Sequence, residues 1–221
     1  GSGTEGNNTA ILGAARARKK RGNRIVTTAV EHPSVLEPMR ALEDEGFEVV
    51  YLKPDKTGSI TEEQIFDAVN EKTVLVSIML VNNEIGSIQP IAEISKLIKQ
   101  FTDNAVFHCD AVQGYGKIPI NVKELGVDLL SCSAHKIHGP KGVGALFVKE
   151  GTRLSPVAAG GGQERDVRPG TEPMPAIAGF AGAVEELNIR NSLEKMTALR
   201  DEFVNDLRAI DGVIINSPDD A

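Results

Sequence analysis

The chain has 221 residues, of which 41% are hydrophobic and 25% charged, with a formal net charge of −7 and a pI near 5.2. This balance argues against a dedicated surface for nucleic acid or anionic membrane, and no apolar stretch approaches the roughly 20 residues of a membrane span. With only two cysteines, Cys109 and Cys132, and no visible secretory signal, a disulfide framework and a structural zinc site are not expected and a reducing, cytoplasmic setting is.

The first stretch, "GSGTEGNN", places glycines and a hydroxyl ahead of a helix predicted over Glu5 to Lys20. Free N–H groups and the positive end of the helix dipole there suit an anion such as phosphate, although the GxxxxGK[ST] spacing is absent. The basic run "RARKKRGNR", Arg16 to Arg24, reads as a solvated helix end. A strand "RIVTTAV" starts at Arg24, a helix follows over Ser34 to Gly46, and a strand "FEVVYL" starts at Phe47. The "TEEQ" at Thr61 has capping-box spacing and opens a helix to Asn70. Strand "TVLVSIML" from Thr73, helix Ile91 to Phe101, and strands "AVFHCDA" from Ala105, "DLLSCS" from Asp128 and "VGALFV" from Val143 complete the alternation. Met174 to Arg208 reads as helical, and "GVIINS" near the end as one strand of something further on. Several strands are apolar almost without interruption, as strands covered on both faces should be. The predicted fold is therefore a three-layer α/β/α arrangement with a mostly parallel sheet, in which chemistry gathers at the carboxyl ends of the strands.

The residues found there are polar and varied: Glu31 and His32, then Asn82, Asn83 and Glu84, then Asp110 and Gln113, then Ser133, His135 and Lys136. Each alone is an ordinary strand-end residue; together they describe a site for a polar, ionisable, aromatic small molecule. A partly desolvated Lys136 amine is a nucleophile for an aldehyde. A phosphate pocket, an imidazole able to stack, an aspartate for a pyridinium nitrogen and that lysine specify pyridoxal phosphate. His108 reads as a core residue, and Cys109 and Cys132 as small buried hydrophobes. His138 either lines the site or caps a turn, and Arg165 or Arg168 could clamp a carboxylate or phosphate.

At "GTEGNN", "EHPSVL", "VNNEIGSIQP", "DAVQGYGKIPI", "SAHKIHGPKGVGAL" and "GGGQERDVRPGTE" the sequence resembles the class V aminotransferase group of fold-type I pyridoxal-phosphate enzymes, most closely the cysteine desulfurases and their selenocysteine lyase relatives. The resemblance implies that Lys136 holds the cofactor aldehyde, that His32 stacks on its ring and that Asp110 pairs with the ring nitrogen. Gln113 and Asn83 match groups on the phenolic oxygen or the substrate carboxylate side, and Thr4, Ser133 and His135 match phosphate ligands. Thr171 resembles a threonine that reaches the phosphate of another subunit, which implies a homodimer. The implied reaction takes sulfur from L-cysteine, leaving L-alanine and an enzyme persulfide that a sulfur-acceptor protein could receive. Neither cysteine occupies the persulfide position. The resemblance divides the chain into a large cofactor-binding domain over residues 1–208, lacking an N-terminal segment, and the start of a truncated small domain over 209–221. Such a piece is expected to bind cofactor without completing desulfuration. A selenocysteine lyase or another class V enzyme, and a non-catalytic scaffold that keeps the fold, stay open as alternatives.

Overall fold

The computed structural model describes residues 1–219 and 221. Six strands form one sheet in the order β2-β1-β3-β4-β5-β6. They are β1 (Arg24–Thr28), β2 (Glu48–Leu52), β3 (Thr73–Met79), β4 (Val106–Asp110), β5 (Leu129–Ser133) and β6 (Gly144–Val148). The first five pair in parallel, and β6 runs antiparallel to β5. Every residue of β3, β4 and β5 is buried, as continuous apolar runs require when both faces are covered.

Alternate strand residues feed two separate cores. Ile25, Leu75, Val106 and Leu129 pack under α1 (Gly3–Arg18) and α2 (Pro33–Asp44). Val26, Val76, Phe107 and Leu130 pack on the other face with residues of α3 (Glu62–Ala68) and α4 (Ile91–Phe101), flanked by α5 (Val122–Leu125). The connection from β1 to β2 uses α2, while those from β2 onward use α3, α4 and α5 on the opposite face. The direction of winding therefore reverses between β1 and β3, where a doubly wound sheet opens its crevice.

Local chemistry explains most element ends. Thr61 caps α3 by accepting from the Gln64 amide while Gln64 accepts from the Thr61 N–H, the reciprocal box read from "TEEQ". His32 caps α2 with Nδ1, and Pro33 follows at the first helical position, where its missing N–H costs nothing. The basic run after α1 is anchored as well as solvated: Arg16 pairs with Glu45, Arg18 donates to the Arg153 carbonyl, and Arg24 pairs with Glu48 and donates to the Ala68 carbonyl.

Two expectations change. Gly3 and Gly6 of "GSGTEGNN" lie in the first turns of α1 and only Gly1 lies ahead of it, because Ser2 is the N-cap and accepts from the Glu5 amide. "GVIINS", expected as a strand of something further on, has no ladder partner among the described residues. Asp220, within the 209–221 stretch, lies outside the described residues. The helical region from Met174 divides into α6 (Met174–Glu185) and α7 (Ile189–Arg208), neither of which buries a residue.

Candidate active site at the carboxyl ends of the strands

Four strands deliver the site. β1 ends near Glu31 and His32, β3 near Asn82 and Asn83, β4 in Asp110, and β5 in Ser133, after which a 3-10 turn over Ala134–Ile137 carries His135 and Lys136. The turn closes on His138 in the left-handed region (φ 66), so of its two readings His138 takes that of a cap, and it is exposed. The start of α1 reaches the same rim. A Cβ on Gly3 would lie 2.8 Å from a Val112 methyl and 3.4 Å from Ser133 Cβ, so this approach of helix to strand end needs glycine.

Asp110 is the best-held group. Buried at 4% exposure, it accepts from the Val112 amide through Oδ1 (2.9 Å) and from Asn7 Nδ2 through Oδ2 (2.7 Å). Burial pushes its carboxyl above the ordinary range, while these donors and the nearby His32 pull back. His32 Nδ1 lies 2.8 Å from Ser34 Oγ and accepts the Ser34 amide at 3.1 Å, and the ring itself is exposed. Ser133 Oγ meets His135 Nδ1 at 2.8 Å, joining the two residues matched to phosphate ligands.

Lys136 is half-buried and makes no hydrogen bond among the described residues, which leaves its amine available. Lys117 stands nearby: its ammonium is pushed below the usual lysine value first by burial and then by the charge of Lys136. Lys117 Nζ donates to Gln113 Oε1 at 2.8 Å, which turns the Gln113 amide nitrogen away from Lys117. Asn83 is exposed and unbonded among the described residues, whereas its neighbour Asn82 is buried and shapes the turn, accepting from the Glu84 and Ile85 amides. Thr4 is exposed in the first turn of α1. Thr171 is exposed three residues past Arg168, whose Nε donates to Glu5 Oε1 at 2.6 Å and so draws that segment to the start of α1. Arg168 is thus engaged by a protein carboxylate, and it holds that of Glu5 below its ordinary value.

Three groups come into view that the residue types alone had not marked: Asn7, Ser34 and Lys117. Asn7 carried a usable signal, because it lies four residues before the buried Ile11 on the face of α1 that also presents Ala10 and Ala14. A polar amide on an apolar stripe calls for a buried partner. Glu31 was marked as a rim residue and is instead buried at 4%, accepting through Oε1 from Thr28 Oγ1 and the Met79 amide. Burial raises its carboxyl to about 8, aided by the charge of Asp110. Among the described residues, Glu31 Oε2 and Asn7 Oδ1 are the buried side-chain polar atoms with no partner, and Asn7 is bonded directly to Asp110.

His108 sits in the core as its sequence context implies, fully buried between Ser77 Oγ (2.8 Å) and Ser131 Oγ (2.9 Å), and desolvation lowers its pKa to about 3. Cys109 and Cys132 are free and buried, with thiols raised by burial, Cys132 to about 11. In the native protein at pH 7 both are expected to react with iodoacetamide at least about 100-fold more slowly than an exposed thiol, since the thiolate is the reactive form. Mass spectrometry after timed labelling checks this, and rapid loss of either free thiol would overturn it.

Pyridoxal phosphate fits what the rim offers. A hydroxyl, an imidazole and the start of a helix converge for phosphate, a buried carboxylate suits a cationic ring nitrogen, an uncommitted amine suits an aldehyde, and an orphaned acceptor adjoins the carboxylate. No cluster of His, Cys, Asp and Glu able to hold a metal, and no helix long and apolar enough to cross a membrane, occurs among the described residues.

Known proteins of the same kind agree with this chemistry. The family model for aminotransferase class-V matches residues 1–221. A cysteine desulfurase IscS of Dictyoglomus turgidum is 48% identical over 219 residues, 98% of this chain and 55% of the relative. A mitochondrial cysteine desulfurase of Candida albicans is 46% identical over 222 residues, covering 99% of this chain and 45% of its own length. Among solved structures, a NifS-like protein superposes with a TM-score of 0.93 at 41% identity, over 99% of this chain and 60% of that one. A structure described as SspA in complex with cysteine gives a TM-score of 0.84 at 38% identity, over 93% and 59%. The chain thus spans about half the length of the relatives it matches. Matched along its whole length and sharing this doubly wound sheet, the chain belongs to the aminotransferase class-V family of pyridoxal-phosphate enzymes.

Proposed function

We propose that this chain is the cofactor-binding part of a pyridoxal-phosphate cysteine desulfurase that takes sulfur from L-cysteine and leaves L-alanine. The observation that carries the reading is the uncommitted Lys136 amine on the same rim as the buried Asp110 carboxylate. The choice of cysteine rests on relatives named cysteine desulfurase and on a neighbour structure described as a cysteine complex.

Bound there, the cofactor supplies an aldehyde that takes up an amine and a ring that withdraws electrons from the carbon beside it. Lys136, with its amine uncommitted, would hold that aldehyde. Asp110 would keep a proton on the ring nitrogen, and His32, which caps α2, would cover the ring face. Thr4, Ser133 and His135 hold the phosphate, and Gln113 and Asn83 serve the phenolic oxygen or the substrate carboxylate. The sulfur goes to a thiol other than Cys109 or Cys132, because both are buried with raised pKa values, and from there to an acceptor protein.

The protein works as a cytoplasmic homodimer in which Thr171 reaches the phosphate of a second copy. Residues 1–208 form the large domain, and 209–221 begin a smaller one. The exposed Met196, Leu199 and Phe203 on one stripe of α7 support further packing there. Given L-cysteine and a thiol reductant, the full-length protein should release alanine and sulfide in equal amounts. Turnover of selenocysteine alone would replace this reading with a lyase, and a protein that stays colourless with added cofactor would replace it with a scaffold.

A further inference from the structure

We infer that Asn7 and Ser34 are positioning residues that connect Asp110 to His32 and fix the His32 proton on Nε2. The directions of the bonds follow from which atoms must donate. The Ser34 amide has only a proton to give and points it at His32 Nδ1 (3.1 Å), so that nitrogen is an acceptor. Asn7 Nδ2 gives one proton to Asp110 Oδ2 (2.7 Å) and the other to Ser34 Oγ (2.9 Å). The opposite orientation of the Asn7 amide would set its oxygen against a carboxylate oxygen, so Asp110 determines which way Asn7 faces. Having accepted from Asn7, the Ser34 hydroxyl turns its own proton to His32 Nδ1 at 2.8 Å. Two donors therefore converge on Nδ1, and the neutral imidazole carries its hydrogen on Nε2.

The relay is enclosed as well as directional. Asn7, Ser34 and Asp110 are exposed by 1%, 8% and 4%, and Asn8 Nδ2 adds a bond to the Ser34 carbonyl (3.3 Å) that ties α1 to the start of α2. A low local dielectric strengthens such a chain and makes its members mutually dependent. The tautomer stands on geometry alone, while its consequence for turnover rests on the reading of the site as a desulfurase. His32 then meets the bound ring in one orientation, with an N–H on the nitrogen that no described residue engages.

Side-chain 15N NMR of the purified full-length protein tests this directly. His32 should show an unprotonated, hydrogen-bonded Nδ1 and a protonated Nε2. In Ser34→Ala the Nδ1 resonance should move to that of a more weakly bonded nitrogen, and Ser34→Thr should restore it. With L-cysteine, Ser34→Ala should lower kcat about fivefold, the size of one hydrogen bond, with KM little changed and with recovery in Ser34→Thr. A wild-type His32 protonated on Nδ1, or a Ser34→Ala spectrum identical to wild type, overturns the relay. The expected spectra without any turnover of cysteine would uphold the relay and overturn the desulfurase reading.

Discussion

Lys136→Ala should lose the visible absorption of bound cofactor, expected at roughly 400 to 430 nm, and lower turnover about a thousandfold or more, while leaving the fold intact. Stability should change by less than about 1 kcal/mol, because the half-buried Lys136 side chain makes no hydrogen bond among the described residues. The informative control is Lys117. It too is a partly buried amine at this rim, and its lowered pKa makes it a rival nucleophile on electrostatic grounds. Geometry separates the two, since Lys117 Nζ is committed to Gln113 Oε1. Lys117→Met should therefore keep a band that borohydride abolishes, shifted because Gln113 is released. Absorption spectra of both variants after desalting decide the matter, and retention of the band by Lys136→Ala with its loss in Lys117→Met would exchange the roles.

The stability of the cofactor-free protein should fall as pH rises through about 8, and Glu31→Gln should remove that fall. Folded Glu31 keeps its proton to about pH 8, whereas the unfolded chain releases it near 4.5. Between those values the folded state binds the extra proton, so this contribution is complete below about 4.5 and gone above about 8. It amounts to up to about 5 kcal/mol. His108 acts in the opposite sense: its folded pKa of about 3 lies below its ordinary 6.5, so the unfolded chain binds the extra proton in that interval and stability rises with pH there. The two largely cancel between about pH 4.5 and 6.5 and leave Glu31 visible above that, a loss of about 2 kcal/mol between pH 6.5 and 8. Glu31→Gln keeps the acceptor for Thr28 and Met79 but has no proton to lose. Urea titrations of both proteins at pH 6.5 and 8 should therefore differ in slope against pH, and equal slopes would show that Glu31 does not hold its proton there.

How much of this could be read beforehand depended on whether a residue's partner is near in sequence. The parallel strands were legible because β3, β4 and β5 are largely apolar rather than alternating, and the α3 cap because Thr61 and Gln64 meet three residues apart. The reversal of β6 also had a signal, since residues 134–143 are too few for the helical crossover that a parallel partner needs. "GVIINS" is rich in β-branched residues, which favour strands only where a neighbour exists to pair with, and among the described residues it has none. Lys136, His32 and Asp110 stood out at strand ends, and motif resemblance gave them roles. The Asn7 bond to Asp110, between residues 103 apart, depends on which face of the sheet Asp110 occupies and where α1 crosses it. Glu31 looked like a rim residue because its polarity was visible and its burial was not.

That long separation also bears on when the site comes into being. Ala10, Ile11, Ala14 and Ala15 of α1 share a core with Val35 and Met39 of the nearby α2 and with Val106 and Leu129 of the distant β4 and β5, so their cover is complete only with those strands in place. Closing such long loops is slow, so the cover of α1 is expected to be completed late in folding. The Asp110–Asn7 bond, between residues 103 apart, is then expected among the later contacts, and with it the pocket proposed for the cofactor. Added cofactor should then hold the finished protein together by mass action without hastening its formation. A refolding rate insensitive to cofactor, beside a thermal midpoint that rises with it, is the behaviour this architecture predicts.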